Sequence, residues 1–149
     1  MKVPAGHPPP TGREFLDSIV SAWTRAEHDA DQAAVMRLLA DEVTLVVVGL
    51  DQATLRGRKA VAAWQCEQTA NALHENDLPI QRVYGWDSVL DDVIRESRVT
   101  GYLYGHRGQG RRVRYRLRRI FEIGSGRVTR LTVWPDLGAL ERQLRGGLE

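Results

Sequence analysis

In the run RRVRYRLRRIFEI, Arg112, Arg114, Arg116 and Arg118 alternate with Val113, Tyr115 and Leu117, the period of a strand with one wet face and one dry face. Arg119 breaks the pattern, because it falls on the dry face with Val113, Tyr115, Leu117, Phe121 and Ile123. An arginine is always charged, and an unpaired charge in an apolar interior is too costly to stand there without a partner or a cavity. The spacing therefore predicts a lined pocket, in which a desolvated Arg119 is a fixed hydrogen-bond donor for an oxygen that gains charge during a reaction, with Tyr102 or Tyr115 donating a second bond. On a third helix, Val61, Trp64 or Gln65, Gln68 and Ala72 share a face by their spacing of three to four. The Trp64 indole there could stack on an extended conjugated chain and the Gln68 amide could orient a carbonyl, although Trp64 also fits plain core and Gln68 also fits a solvated face. His74 and His106 sit near predicted element ends without the paired spacing of metal ligands, so no metal site is expected. With no GxSxG, phosphate-binding loop or dinucleotide fingerprint, neither serine nucleophile chemistry nor a nucleotide cofactor has support, and no cofactor is expected.

The elements that must hold these groups follow from periodicity. Phe15, Leu16, Ile19, Val20 and Trp23 recur at helical spacing, and Val35, Leu38 and Leu39 do so after the polar break EHDAD. Asp41 and Glu42 then precede VTLVVVG, a buried strand. A loop leads to the third helix, over residues 58 to about 74, and IQRVYGW gives another strand. Asp87 to Asp92 reads as a turn before the long strands VIRESRVTGYLYG and RRVRYRLRRIFEI, and after the turn GSG the segment RVTRLTVWPDLGALE reads as a strand and a short helix. Residues 1–12, rich in Pro and Gly, read as a flexible tail, and 13–149 as one domain without repeats or linkers.

With 149 residues the chain can bury a core without disulfides, and the lone Cys66 excludes both an internal disulfide and a cysteine-rich zinc site. The start lacks the apolar segment of a signal peptide and no apolar run approaches membrane-spanning length, so a soluble cytoplasmic protein without membrane partners is expected. The 21 basic residues nearly balance the 19 acidic ones, and all but Lys2 and Lys59 are Arg. That composition points to a coding bias rather than to phosphate contacts, and no nucleic-acid-binding motif accompanies the Arg stripe. The stripe reads as a solvated outer sheet face or as a rim paired with a second subunit, so a homodimer is expected and nucleic acid is not.

The order helix, helix, strand, helix and then long strands, with LLADEVTL, GRKAV, ESRV, GRRVRYRLRRIFEIGSGRVT and DLGALE in sequence, resembles the nuclear-transport-factor-2-like superfamily over residues 13 to 144. Within it the sequence is most similar to the group of limonene epoxide hydrolases and SnoaL-like polyketide cyclases. The resemblance implies an α+β fold: a cone-shaped barrel of strongly curved mixed β-sheet wrapped around N-terminal helices, with an interior pocket. It implies for the epoxide hydrolases an Asp, Arg, Asp set with a Tyr and an Asn that hold water. Carried over, the Arg falls on Arg98, the two Asp on Thr100 and Val133, and the Tyr and Asn on Leu45 and Val47. Valine and leucine cannot move a proton, so that water-activating set is broken. The carboxylates of the isomerase-like and aldol-cyclase relatives, which fall on Val47 and Val133, are missing too.

If Arg98 faces inward, as the resemblance implies, strand parity puts Ile94, Glu96, Thr100, Tyr102 and Tyr104 on the same face, unless Gly101 marks a bulge. Arg98, Arg119, Glu96 and Tyr102 are then the catalytic candidates, with Glu96 as a base tuned by the Arg pair or as part of a purely structural charge network. Tyr115, Thr100, Trp64, Gln68, Leu45, Val47, Leu117 and Val133 are the expected substrate-binding wall. The function this supports is a cofactor-independent cyclase or isomerase of specialised metabolism, such as antibiotic biosynthesis, closing a ring in a hydrophobic, polyketide-derived intermediate. The competing readings are a non-catalytic ligand-binding or interaction module and, third, an epoxide hydrolase.

Overall fold

A computed structural model describes residues 10–51 and 54–145. The elements run α1 (Pro10–Asp29), α2 (Gln32–Leu38), β1 (Leu39–Val47), β2 (Thr54–Arg56), α3 (Arg58–Asn71), β3 (Ala72–Tyr84), β4 (Ser88–Val99), β5 (Tyr102–Leu103), β6 (His106–Arg107), β7 (Arg111–Gly124), β8 (Arg127–Pro135) and α4 (Leu137–Arg145). Six strands form one mixed sheet in the order β2-β1-β8-β7-β4-β3, with β1 and β8 parallel and the other neighbours antiparallel. The sheet curves as a cone around the helices but does not close, so the expected barrel is an open sheet with β2 and β3 at its edges.

Helix α1 lies inside the curve. Leu16, Ile19, Val20, Trp23 and Ala26 are buried on one stripe, while Phe15 is exposed. The Asp31 side chain caps α2 by accepting from the Ala34 amide at 3.1 Å. The core side of the sheet is supplied by Val43, Leu45 and Val47 of β1, Leu131 and Val133 of β8, and Val113, Leu117 and Phe121 of β7. The Trp23 ring meets Phe121 edge-on, with 5.9 Å between centroids.

Several boundaries differ from the sequence expectation, among them that of the strand VIRESRVTGYLYG, which ends as β4 at Val99 and is followed by the separate β5–β6 hairpin. Helix α1 begins at Pro10, inside the expected tail, whose residues 1–9 lie outside the described residues, as do 146–149. Strand β1 begins at Leu39 rather than after Asp41 and Glu42. Helix α3 ends at Asn71 and passes directly into β3, a strand of 13 residues of which only the last part was legible. Asp91 and Asp92 lie within β4 and not in a turn, which is confined to the residues between Tyr84 and Ser88. Aspartate is a poor strand former, but here each carboxylate has arginine partners: Arg82 and Arg119 for Asp91, Arg116 for Asp92.

Candidate functional site

The inner cavity lies between α1, α3 and the concave face of the sheet. Helix α1 contributes Trp23 and Glu27, α3 contributes Trp64, Gln65, Gln68 and Thr69, and β3 contributes Ala72 and His74. Arg95 and Ser97 come from β4, Tyr115, Leu117 and Arg119 from β7, and Leu131 and Val133 from β8. Leu103 and Tyr104 complete the lining from the β5–β6 hairpin. The cavity measures about 40 Å³, room for roughly three water molecules.

Its polar floor is an ion-pair network centred on Glu27. Arg95 clamps this carboxylate with two donors, Nη1 to Oε2 and Nη2 to Oε1, both at 3.0 Å. Arg119 Nη1 donates to Glu27 Oε1, and Gln65 Nε2 donates to Oε2 at 3.2 Å. Arg95 also donates to both oxygens of Asp77 at 2.9 Å, and Arg119 donates to Asp91 at 3.1 Å. Asp91 in turn accepts from Arg82, which also reaches Asp17 at 3.0 Å. The network thus ties α1 to β3, β4 and β7.

The electrostatics follow from this packing. Burial alone would raise the Glu27 carboxyl, but the charges and hydrogen bonds of Arg119 and Arg95 overcome it and hold the group at about 2. Asp77 is likewise buried, yet the close approach of His74 and the hydrogen bonds and charge of Arg95 hold it well below the usual carboxylate range. Both are fixed anions at neutral pH and poor bases. Burial pushes the Tyr115 phenol up to about 12, and burial with the nearby Tyr115 pushes Tyr104 well above its ordinary value. Both phenols therefore stay protonated and can donate. Arg119 Nε, Gln68 Oε1 and both ring nitrogens of His74 are buried without a protein partner among the described residues, all on side chains that line the cavity. His74 Nε2 lies 3.0 Å from Asp77 Oδ1 but off the line a hydrogen bond requires.

Several predicted site residues are brought together here: Arg119, Tyr115, Trp64, Gln68, Leu117 and Val133 all line the cavity. Leu45 and Val47 are buried in the neighbouring core and are not part of the lining. On β7 the expected parity holds, with Val113, Tyr115, Leu117, Arg119 and Phe121 buried and the four alternating arginines on the outer face.

On β4 the parity is reversed from the expectation. Val89, Asp91, Val93, Arg95, Ser97 and Val99 are buried on the inner face, with Asp92 buried on the outer one. Arg98 therefore faces away from the cavity and donates to the Gly110 carbonyl at 3.0 Å. Glu96 accepts from Asn76 on the outer face at 3.1 Å, and Thr100 is exposed, bonded to the Asn71 carbonyl. Tyr102 is 59% exposed. The physical reason is the pairing with β7, which sets Asp91 opposite Arg119, Arg95 opposite Tyr115 and Ser97 opposite Val113, so those residues share the concave face. The inward arginine of β4 is Arg95, followed two residues on by the inward Ser97.

Glu27, Arg95, Asp77 and Asp91 were missed by the sequence reading. A signal for Glu27 was present, since it continues the stripe of Val20 and Trp23 at i+7 and i+4. Val89, Val93 and Val99 likewise mark the inner parity of β4. Asp77 had no local signal, because irregularities between His74 and Asn76 and between Pro79 and Gln81 switch the parity of β3, so that His74, Asp77 and Pro79 face the same way.

No family model and no curated protein matches the sequence. Solved structures do match. A LEH-like epoxide hydrolase of M. tuberculosis superposes with a TM-score of 0.72 at 20% identity, over 93% of this chain and 95% of the other. A candidate polyketide cyclase from Xanthomonas campestris pv. campestris gives 0.73 at 18% identity, over 89% and 98%. An NTF2-like protein of Burkholderia xenovorans gives 0.70 at 19% identity, over 88% and 96%. Together with the open curved sheet wrapped on α1, these likenesses give this chain the cone-shaped α+β fold of the nuclear-transport-factor-2-like superfamily.

Proposed function

We propose that the protein is a cofactor-independent cyclase or isomerase of the SnoaL-like type, acting on a hydrophobic, polyketide-derived intermediate in the inner cavity. The observation that carries this reading is the pairing of apolar walls with protonated donors beside a carboxylate that is held as a fixed anion. Trp23, Trp64, Leu117, Leu131 and Val133 supply the walls, and Tyr115 and Arg119 supply donors. The carboxylate on the lining, Glu27, is clamped by two arginines. Such a site suits ring closure in which shape does much of the work. Holding reacting carbons in a near-attack geometry is worth roughly 7–11 kcal/mol in favourable cases, and one or two donors to a carbonyl or enolate oxygen add to it. Gln68 Oε1, a free acceptor, fits a substrate hydroxyl or enol proton. The positions onto which the resemblance carries the hydrolase carboxylates hold Thr100 and Val133, neither of them an acid, which disfavours epoxide hydrolysis.

A second reading has a specific observation behind it. The Glu27 network satisfies most of its own charges, so a ligand carrier with a structural ion-pair core fits the same floor. The test is turnover of a short poly-β-ketone thioester by the wild type, Tyr115→Phe and Arg119→Met. Each substitution is expected to lower turnover on the order of 100-fold while binding persists. Saturable binding with no turnover in the wild type would replace the cyclase with the carrier. Labelled diol formed from an epoxide in oxygen-18 water would replace it with the hydrolase.

A further inference from the structure

Every side chain on the inner cavity comes from α1, α3 or the six-stranded sheet, except Leu103 and Tyr104. These two are carried by the β5–β6 hairpin, whose strands are two residues long and are not hydrogen-bonded into the main sheet. A two-stranded hairpin of this size has little stability of its own. It is fastened at its base. The amides of Thr100 and Gly101 donate to the Asn71 carbonyl at 2.9 and 3.1 Å, the Tyr102 amide donates to Asn71 Oδ1 at 3.2 Å, and the Gly110 amide donates to the Val99 carbonyl at 2.8 Å. The chain passes close to its neighbours here at two glycines. A Cβ on Gly101 would fall 1.7 Å from Asn71 Oδ1, and one on Gly108 would fall 2.2 Å from the Val99 carbonyl oxygen.

Beyond that base, Tyr104 is held at variance with its own chemistry. Its φ is +48°, in the left-handed region that side chains other than glycine rarely adopt. The residue is half-buried, and its side chain lines the cavity. Meanwhile the space left over, about 40 Å³, is far below the roughly 300–1,000 Å³ of ligand pockets.

We propose that residues 100–110 form a hinged plug, and that Leu103 and Tyr104 fill volume that a ligand takes when the hairpin withdraws. The ligand class follows from what is displaced. It is a neutral, ring-bearing molecule with an oxygen substituent, since it replaces an isobutyl group and a phenol beside Trp64 and Tyr115 and leaves the ion pairs below intact. This inference rests on the inner cavity being the ligand site, and it deepens the proposed function by naming what the site admits and how.

The probe is 1-naphthol, a neutral fused ring with one hydroxyl. Tyr104→Gly, which suits the positive φ, and Leu103→Ala, a second variant in case the first folds poorly, are each expected to bind it at least tenfold more tightly than the wild type. Arg107→Ala, exposed on the same hairpin, is expected to match the wild type. In the wild type, naphthol is expected to speed hydrogen exchange at the amides of Tyr102 to Arg107. Equal affinity in the wild type and both cavity variants, or hairpin exchange unaltered by bound naphthol, would overturn the proposal. Tighter naphthol binding by the variants in a protein that turns over no cyclisable substrate would support the plug and overturn the cyclase reading alone.

Discussion

Replacing Glu27 with Gln keeps the size of the side chain and removes the charge that Arg95 and Arg119 share. Arg95 retains Asp77 and Arg119 retains Asp91, so each cation keeps one carboxylate and loses the other. The native carboxyl is held at about 2 against an ordinary 4.5, a difference that corresponds to about 3 kcal/mol. That agrees with the roughly 3–5 kcal/mol lost when one partner of a buried pair is removed. For a domain of this size each kcal/mol moves the melting temperature by about 3 °C, so Glu27→Gln is expected to melt about 10 °C lower. The pH dependence gives a sharper signature. A group with a depressed pKa contributes stability that is fully present above its unfolded value, here 4.5, and is lost as the pH falls toward about 2. The gap between wild type and variant should therefore be full at neutral pH, shrink to about 1 kcal/mol near roughly pH 3 and close below that, where protonated Glu27 resembles Gln. Urea unfolding followed by tryptophan fluorescence at a series of pH values measures the gap. Equal stability at neutral pH, or a gap that does not change with pH, would refute the network as described.

Other outcomes follow from the same geometry. Arg98→Met is expected to leave turnover of the poly-β-ketone thioester within twofold of wild type, since its guanidinium faces Gly110 and not the cavity; a large loss in kcat would put Arg98 back in the site. Arg116→Met is expected to lower the melting temperature measured by calorimetry, because Asp92, fully buried on the outer face, loses its paired donors. We also propose that a second copy of the chain covers the outer sheet face, which leaves Trp134, Ile120, Val83 and Leu73 exposed. Sedimentation of the wild type should then give a dimer and Trp134→Glu a monomer, whereas a monomeric wild type would remove this interface. Among the described residues no helix is long and apolar enough to cross a membrane.

The sequence by itself determined the type and order of most elements and the two-faced register of β7. Those signals are local: β-branched runs make strands, three-to-four spacing makes α1 and α3, and an alternation sustained from Arg112 to Arg118 leaves one choice of inner face. Arg119 stood out for the same reason. Which groups meet Arg119 was decided only by the tertiary structure. The inner face of β4 depends on its pairing partner. A one-residue slip exchanges Arg98 and Glu96 for Arg95 and Ser97, and the valines at 89, 93 and 99 fix the parity only once the sheet has a core to face. Asp77 reaches Arg95 because the irregular register of β3 turns it inward. Glu27 closes the network from a helix more than sixty residues away in sequence, since desolvated arginines need a carboxylate from whatever element the cone wraps around them.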